Sequence, residues 1–234
     1  PDSLELVKQE VYQNKSFYNT FVDSVAKAFP DYADIKNNDI EGDSDWSWRS
    51  GYKSVDSVGE DGIHVYDSYK VDIVKNDIEK TGDNGIYVKK SRGADIIGND
   101  IEKAGEDGIH VEKSKYVDIL WNKIKGSDND GIDVEDSDYA EIKRNSVTDS
   151  GDNGIELQGS DFSRISRNLV TWSGDNGIYV NPSNFVSIDN NLVWFSGDDG
   201  IDVNGGSFVL IKDNKVAFSG DDGIDVDGTQ GLFI

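Results

Sequence analysis

Apolar and polar residues alternate in short runs along most of the chain, as in Ile63-His64-Val65 and Val71-Asp72-Ile73. A period of two residues is typical of a β-strand, whereas an amphipathic helix repeats every three or four residues. Turn-forming Gly, Asn and Asp residues separate the runs. The pattern therefore predicts many short strands that are joined by tight turns.

These strands recur with a fixed period of 23 residues. The motif Gly-x-Asp/Asn-Gly-Ile begins at Gly59, Gly82, Gly105, Asp128 (in place of the first glycine), Gly151, Gly174, Gly197 and Gly220. One three-strand unit cannot bury its own apolar side, so successive units are expected to stack strand over strand at ~4.8 Å. The sequence thus predicts an all-β fold, a single-stranded parallel β-helix (β-solenoid) with 23-residue coils.

Alignment of the units predicts the interior of the stack. Three core columns are expected: Ile63, Ile86, Ile109, Ile132, Ile155, Ile178, Ile201 and Ile224; Val65, Val88, Val111, Val134, Leu157, Val180, Val203 and Val226; and Ile73, Ile96, Ile119, Ile142, Ile165, Ile188 and Ile211. An asparagine ladder is expected from Asn76, Asn99, Asn122, Asn145, Asn168, Asn191 and Asn214, because a stacked amide can donate to the next coil. The second glycine of each motif is expected at a positive φ or where a side chain would clash.

The two ends of the chain depart from the repeat. Apolar residues in 1–29 fall at three- and four-residue steps before Pro30, which predicts an N-terminal α-helical cap on the first coil. Residues 30–58 are predicted to form a first coil with an inserted Trp-rich loop at about 43–57, and residues 59–234 seven full coils plus a partial eighth. An uncapped final coil with an apolar tail predicts end-to-end or oligomeric self-association.

Charge narrows the range of partners. With 46 acidic and 23 basic residues the formal net charge is −23, which disfavours nucleic acid and anionic lipid. The absence of cysteine excludes disulfides, thiolate metal sites and cysteine nucleophiles. The apolar runs are far too short for membrane insertion. Because the chain is strongly acidic, divalent cations or sugars are the expected ligands.

The phrase Gly-Asp-Asp-Gly-Ile-Asp-Val at 197–203 and the recurring Asn-x-Ile/Val resemble the repeats of right-handed parallel β-helix proteins of the pectate lyase-like superfamily, over roughly residues 31–234. The resemblance implies a right-handed helix and a family that includes polysaccharide lyases, hydrolases, uronan epimerases, tailspikes and non-catalytic modules. Asp199 and Asp202, followed one coil later by Asp221 and Asp222, are similar to the paired aspartates of polygalacturonases. The Gly-His-Gly and Arg-Ile-Lys coils of those hydrolases do not occur here.

Three sets of residues carry candidate chemistry. His64, Tyr87 and His110 occupy the outward position of three successive strands, and they are the candidate catalytic set for proton abstraction from a uronan. The same residue types are also common on exposed strands. The candidate carbohydrate-binding residues are Trp46, Trp48, Arg49 and Tyr52, which stack on sugars or fold over the cap. The candidate metal ligands are Asp198, Asp199, Asp202, Asp221, Asp222 and Asp225, which suit Ca²⁺ or form a hydrated acidic surface.

The regular coils lack the long loops that usually build a deep cleft. We therefore expect a non-catalytic extracellular or cell-surface β-helix that binds a polysaccharide or cell-surface glycan, or that forms part of a fibre. The alternative is a polysaccharide lyase, uronan epimerase or polygalacturonase-like glycoside hydrolase. A designed or consensus β-solenoid scaffold is a further alternative, since the repeat is uninterrupted.

Overall fold

A computed structural model describes residues 32–41, 48–50 and 61–233, and within these ranges every regular element is a β-strand. The strands form three parallel sheets. Sheet 1 contains β3 (Trp48–Ser50), β4 (Ile63–Tyr66), β7 (Ile86–Lys89), β10 (Ile109–Glu112), β13 (Ile132–Glu135), β16 (Ile155–Gln158), β19 (Ile178–Asn181), β22 (Ile201–Asn204) and β25 (Ile224–Asp227). Sheet 2 contains β1 (Tyr32–Lys36), β5 (Lys70–Val74), β8 (Arg92–Ile97), β11 (Lys115–Leu120), β14 (Glu141–Lys143), β17 (Arg164–Ser166), β20 (Ser187–Asp189) and β23 (Leu210–Lys212). Sheet 3 contains β2 (Asp39–Glu41), β6 (Asp77–Thr81), β9 (Asp100–Ala104), β12 (Lys123–Ser127), β15 (Ser146–Ser150), β18 (Leu169–Ser173), β21 (Leu192–Ser196) and β24 (Lys215–Ala217).

The register of the sheets confirms the predicted parallel β-solenoid of about seven 23-residue coils. Ile109, for example, pairs with Ile86 on one side and Ile132 on the other, so identical positions stack directly. The three predicted core columns are buried from Ile63 to Val203, and sheet 3 adds a fourth column that begins with Ile78 and Ile101. Each fully buried Ile or Val contributes roughly 1.5–3 kcal/mol of apolar burial, so these columns drive the stacking.

The predicted asparagine ladder is present on the second corner of each coil. Asn122 shows the repeated geometry: its Oδ1 accepts from the backbone N–H of Asn99 at 2.9 Å, and its Nδ2 donates to Ile96 O at 2.9 Å and to Asn145 Oδ1 at 3.0 Å. Serines form a second ladder, in which Ser137 Oγ accepts from the backbone N–H of Ser114 at 2.9 Å. The ladders satisfy buried polar groups where the chain leaves one sheet for the next.

The second glycine of each motif is required by close packing rather than by its φ angle. A Cβ on Gly177 would lie 2.1 Å from Val193 Cγ1 and 2.6 Å from Gly200 O, and its φ is not positive. Gly223 occupies the same position in the coil that contains β25, where an added Cβ would meet nothing within 4 Å. The glycine therefore matters only where another coil packs on it.

Left-handed corners are a feature that the sequence pattern did not predict. Non-glycine residues with positive φ recur at the corners of successive coils, and several of them are aromatic. One column of five rings is stacked at centroid distances of 4.8–5.2 Å with nearly parallel planes: Tyr116, Tyr139, Phe162, Phe185 and Phe208. Stacking worth roughly 0.5–1.5 kcal/mol per pair offsets much of the ~1–2 kcal/mol cost of a left-handed residue.

The predictions for the N-terminal region are only partly tested. The helical cap at 1–29 lies outside the described residues, as does most of the predicted loop at 43–57. Residues 48–50, which fall within the predicted insertion, form β3, and this strand pairs in parallel with β4 and joins sheet 1. Trp48 pairs with Ile63 only 15 residues later, whereas Ile63 pairs with Ile86 at the regular separation of 23 residues, so β3 is an extra sheet 1 strand outside the repeat.

Candidate functional site

The outer face of sheet 1 carries two continuous columns of polar and aromatic side chains. The first column, at the outward position between the buried Ile and Val, consists of His64, Tyr87, His110, Asp133, Glu156, Tyr179, Asp202 and Asp225. The second column, two residues further on, consists of Tyr66, Lys89, Glu112, Glu135, Gln158, Asn181, Asn204 and Asp227. Only the first column was picked out from the sequence, although strand alternation predicts the second equally well.

The structure brings the three predicted catalytic residues into contact. The ring centroids of His64 and Tyr87 lie 4.8 Å apart, and those of Tyr87 and His110 lie 4.9 Å apart. All three side chains are half-buried because the neighbouring strands hold them side by side. Proximity alone, however, does not leave their reactive atoms free.

A buried ladder of Asp and Asn residues lies beside this column at the start of each strand. The third residue of each motif accepts a backbone N–H from the same position in a neighbouring coil, as in Asp130 N–H to Asp107 Oδ1 at 3.0 Å. The accepting residues are Asp61, Asn84, Asp107, Asp130, Asn153, Asn176 and Asp199, and within the described residues the ladder ends at the exposed Asp222, which only donates its backbone N–H. The carboxylates at this position therefore cap backbone N–H groups and do not simply form a hydrated acidic surface.

Both histidines are oriented by this ladder. His64 Nδ1 lies 2.8 Å from Asp61 Oδ2, and His110 Nδ1 lies 3.0 Å from Asp107 Oδ2. An ionised carboxylate only accepts, so Nδ1 carries the proton and Nε2 is left as the second ring nitrogen in each case. Burial disfavours the charged form of His110, but the hydrogen bond to Asp107 and the charge of Asp133 outweigh it and raise the pKa of His110.

Tyr87 is held in a small network around Glu112. Its hydroxyl donates to Glu112 Oε2 at 2.6 Å, and Lys89 and Lys113 also contact that carboxylate. Burial, reinforced by the bond to Glu112, raises the pKa of Tyr87 to about 12. Burial also acts to raise the pKa of Glu112, but the bonds from Lys113, Lys89 and Tyr87 lower it to about 2. The two lysines therefore neutralise Glu112, and Tyr87 is a poor proton acceptor.

Carboxylates crowd the next two coils. Asp133, on the strand beside His110, has its pKa raised to about 7 by burial, against the opposing effect of His110. Burial, followed by the charge of Glu156, raises the pKa of Asp130, and burial raises the pKa of Glu156 against the opposing hydrogen bonds with Asp130 and Asn153. Asn153 Nδ2 relieves Glu156 by donating to its Oε2 at 3.0 Å. A proton or a cation is therefore favoured between coils here.

The predicted metal ligands near the C-terminal end form two overlapping groups. Oxygens of Asp198, Asp199 and Asp221 lie within 4.8 Å of one another, as do those of Asp199, Asp202 and Asp225. Burial, then the charges of Asp199 and Asp225, raise the pKa of Asp202 to about 6. Asp222 is exposed and belongs to neither group; its backbone N–H donates to Asp199 Oδ1 at 2.7 Å.

The predicted carbohydrate-binding residues lie at the edge of the described structure. Trp46 and Tyr52 are outside it, whereas Trp48 and Arg49 belong to β3 at the end of sheet 1. A separate open groove of about 560 Å³ runs beside the stacked rings of Trp172, Phe195 and Phe218, near the C-terminal ends of the sheet 3 strands. Because these rings cover one another, they present mainly their edges to solvent.

The chain belongs to the family described as right handed beta helix region, whose model matches residues 21–180 and 107–234. This match confirms the predicted kinship with pectate lyase-like β-helix proteins and the handedness of the coil. No curated protein matches the sequence. Within the described ranges, no helix is present that could cross a membrane.

Solved structures of the same fold share little sequence with this chain. A mutant of the periplasmic alginate epimerase AlgG matches with 18% identity and a TM-score of 0.66, over 74% of this chain and 46% of that one. The enzymatically active domain of Bacteriophage CBA120 tailspike protein 2 matches with 14% identity and a TM-score of 0.60, over 90% and 40%. Pectate lyase Pel9A matches with 11% identity and a TM-score of 0.52, over 79% and 68%. The chain thus spans less than half of the first two structures, and the likeness at these identities is one of fold.

Proposed function

We propose that this chain is a non-catalytic, polysaccharide-binding β-helix that holds a glycan along the outer face of sheet 1. The observation that carries the proposal is the pair of outward columns, which runs from coil to coil in unbroken register. Each column repeats every ~4.8 Å, an interval comparable to the length of one sugar residue in an extended chain. An extended polymer can therefore meet equivalent side chains at successive residues.

The part of this face best suited to a sugar lies in coils that contain β16, β19 and β22. Gln158, Asn181 and Asn204 follow one another in the second column, and Tyr179 lies in the first. Amides both donate to and accept from sugar hydroxyls, and a tyrosine adds an apolar ring with a polar end. The surrounding negative charge favours a neutral glycan, or an anionic one that is bridged by cations.

The state of the histidine and tyrosine side chains supports binding without turnover. His110 Nε2 is completely shielded from solvent, and its Nδ1 is occupied by Asp107. Tyr87 donates to Glu112, and the lysines that are needed to neutralise a uronate carboxylate already contact that glutamate. A base and a free cation are both needed for uronan chemistry.

Several features of the proposal rest on the named neighbours. The names of the alginate epimerase, the tailspike and the pectate lyase support a polysaccharide partner, and the periplasmic epimerase and phage tailspike support an extracellular or cell-surface location.

We further propose that Ca²⁺ binds Asp199, Asp202 and Asp225, since hard cations prefer several carboxylate oxygens.

The proposal is tested by screening the full chain on an array of neutral and acidic polysaccharides, followed by titration calorimetry with any glycan retained. Tyr179→Ala and Asn181→Ala are expected to weaken binding at least several-fold. Trp194→Ala is the matched control, because it also removes an outward aromatic side chain, on sheet 3. Equal loss in all three variants, or no retained glycan, contradicts the proposal.

A second candidate is proton abstraction from a uronan, and the specific observation that favours it is the Asp61–His64 pair. Their contact at 2.8 Å is the arrangement that orients a general base. This alternative predicts an ultraviolet-absorbing unsaturated product or altered uronate stereochemistry, lost in His64→Ala. Turnover that survives both His64→Ala and His110→Ala would exclude it.

A further inference from the structure

His110 presents a ring nitrogen that lacks a hydrogen-bond partner within the described residues. Its Nε2 is inaccessible to solvent and faces Asp133 Oδ2 at 3.5 Å. This separation is too long for a hydrogen bond, and the lone pair of a neutral imidazole repels a carboxylate. A cation or a proton between the two atoms removes that conflict.

The separation fits a shared metal ion. Zinc binds imidazole nitrogen at roughly 2.0–2.1 Å and carboxylate oxygen at roughly 2.0–2.2 Å. Two ligand atoms at about 2.1 Å from one ion and at a tetrahedral angle lie about 3.4 Å apart by simple geometry. Nε2 of His110 and Oδ2 of Asp133 are therefore spaced as two ligands of one tetrahedral ion.

Asp107 supplies the outer contact that such a site requires. Its Oδ2 holds His110 Nδ1 at 3.0 Å, and a metal-binding histidine almost always donates its other ring N–H to a carboxylate or carbonyl. Asp107 is itself fixed, because its Oδ1 accepts the backbone N–H of Asp130 at 3.0 Å. The imidazole is thus oriented with Nε2 toward Asp133.

We propose that His110 and Asp133 bind a divalent transition-metal ion such as Zn²⁺ between adjacent coils, with Asp107 orienting the histidine and water completing the coordination. This inference goes beyond the proposed glycan-binding function. The negative charges that act on Asp133, those of Asp107, Glu156 and Glu135, favour a cation at this position. The ion joins β10 to β13 and thereby ties two coils together.

The nitrogen ligand separates this site from the aspartate groups near the C-terminal end. Those groups offer only carboxylate oxygens, which suit Ca²⁺, whereas imidazole favours zinc and its neighbours in the transition series. The chain also contains an internal control. His64 is held by Asp61 in the same way, but the next strand places Tyr87 beside it instead of a carboxylate.

The test is calorimetric titration of chelator-treated full chain with ZnCl₂, in excess CaCl₂ to occupy oxygen-only sites. We expect one high-affinity Zn²⁺ per chain, a rise in thermal stability, and visible absorption bands of tetrahedral form when Co²⁺ replaces Zn²⁺. His110→Ala and Asp133→Asn should each abolish the Co²⁺ bands, and Asp107→Asn should weaken affinity by about 10–100-fold. His64→Ala should leave all three signals unchanged.

Each variant is compared with its own metal-free form, so a change in basal stability is not counted. Binding that is weaker at pH 6 than at pH 8 is also expected, because the metal must displace the proton from the imidazole. The proposal is overturned if Zn²⁺ fails to bind, if Ca²⁺ competes it away, or if His64→Ala removes binding as completely as His110→Ala.

Discussion

Replacement of Asn122 by alanine in the middle of the asparagine ladder is expected to lower the free energy of unfolding by about 3–5 kcal/mol. Its side chain makes four hydrogen bonds: Oδ1 accepts from Asn99 N and Asn99 Nδ2, and Nδ2 donates to Ile96 O and Asn145 Oδ1. Each is worth about 1 kcal/mol net, and the buried N–H of Asn99 left without its side-chain acceptor adds a desolvation penalty. The loss should be confined to the coils that flank position 122, because a solenoid transmits stability mainly between neighbours.

Native-state hydrogen exchange measures this effect at the residue concerned. The amide of Asn99 should exchange far faster in Asn122→Ala, and urea denaturation should shift to a lower midpoint. Asn129→Ala is the matched control, since Asn129 is an exposed asparagine in the adjacent coil. A loss below about 1 kcal/mol, or equal losses in the two variants, would refute the assignment of the ladder as a main source of stability.

Three further predictions concern charge, packing and cations. Glu112→Gln should lower the free energy of unfolding by about 1–3 kcal/mol at pH 7. Because the pKa of Glu112 is lowered from 4.5 to about 2, the stabilisation is present above pH 4.5 and is lost as the pH falls toward 2. Urea denaturation across that pH range measures the loss. Gly177→Ala should destabilise by about 1–3 kcal/mol through overlap with Val193 and Gly200, whereas Gly223→Ala should leave the melting temperature unchanged. Ca²⁺ should raise the melting temperature, and Asp202→Asn should remove that rise; an equal rise in the variant would place the cation elsewhere.

Much of the scaffold follows from the sequence because stacking turns the repeat directly into contacts. The Ile63 column, the asparagine ladder and the sheet register all depend on the 23-residue period and on strand alternation. A single sequence shows both of these patterns. The left-handed conformation of Tyr116 was not predictable in this way, since bulky residues rarely adopt it. It persists because each ring stacks on the next, a property of the assembled column.

The candidate site was predictable by position but not by chemical state. Alternation placed His64, Tyr87 and His110 side by side, and the structure does so. Whether their polar atoms are free depends on Glu112 and on the buried Asp107. The sequence does not distinguish a buried corner aspartate such as Asp107 from an exposed turn residue. The spacing Asp-x-x-His at 107–110 was the one signal that linked the two.

Hydrogen–deuterium exchange with and without a bound polysaccharide tests the central claim most directly. Glycan binding along sheet 1 predicts added protection in β16, β19 and β22, little change in sheets 2 and 3, and recovery of the polysaccharide intact. Protection centred on another sheet, or consumption of the polysaccharide during the measurement, would contradict a non-catalytic binding face on sheet 1.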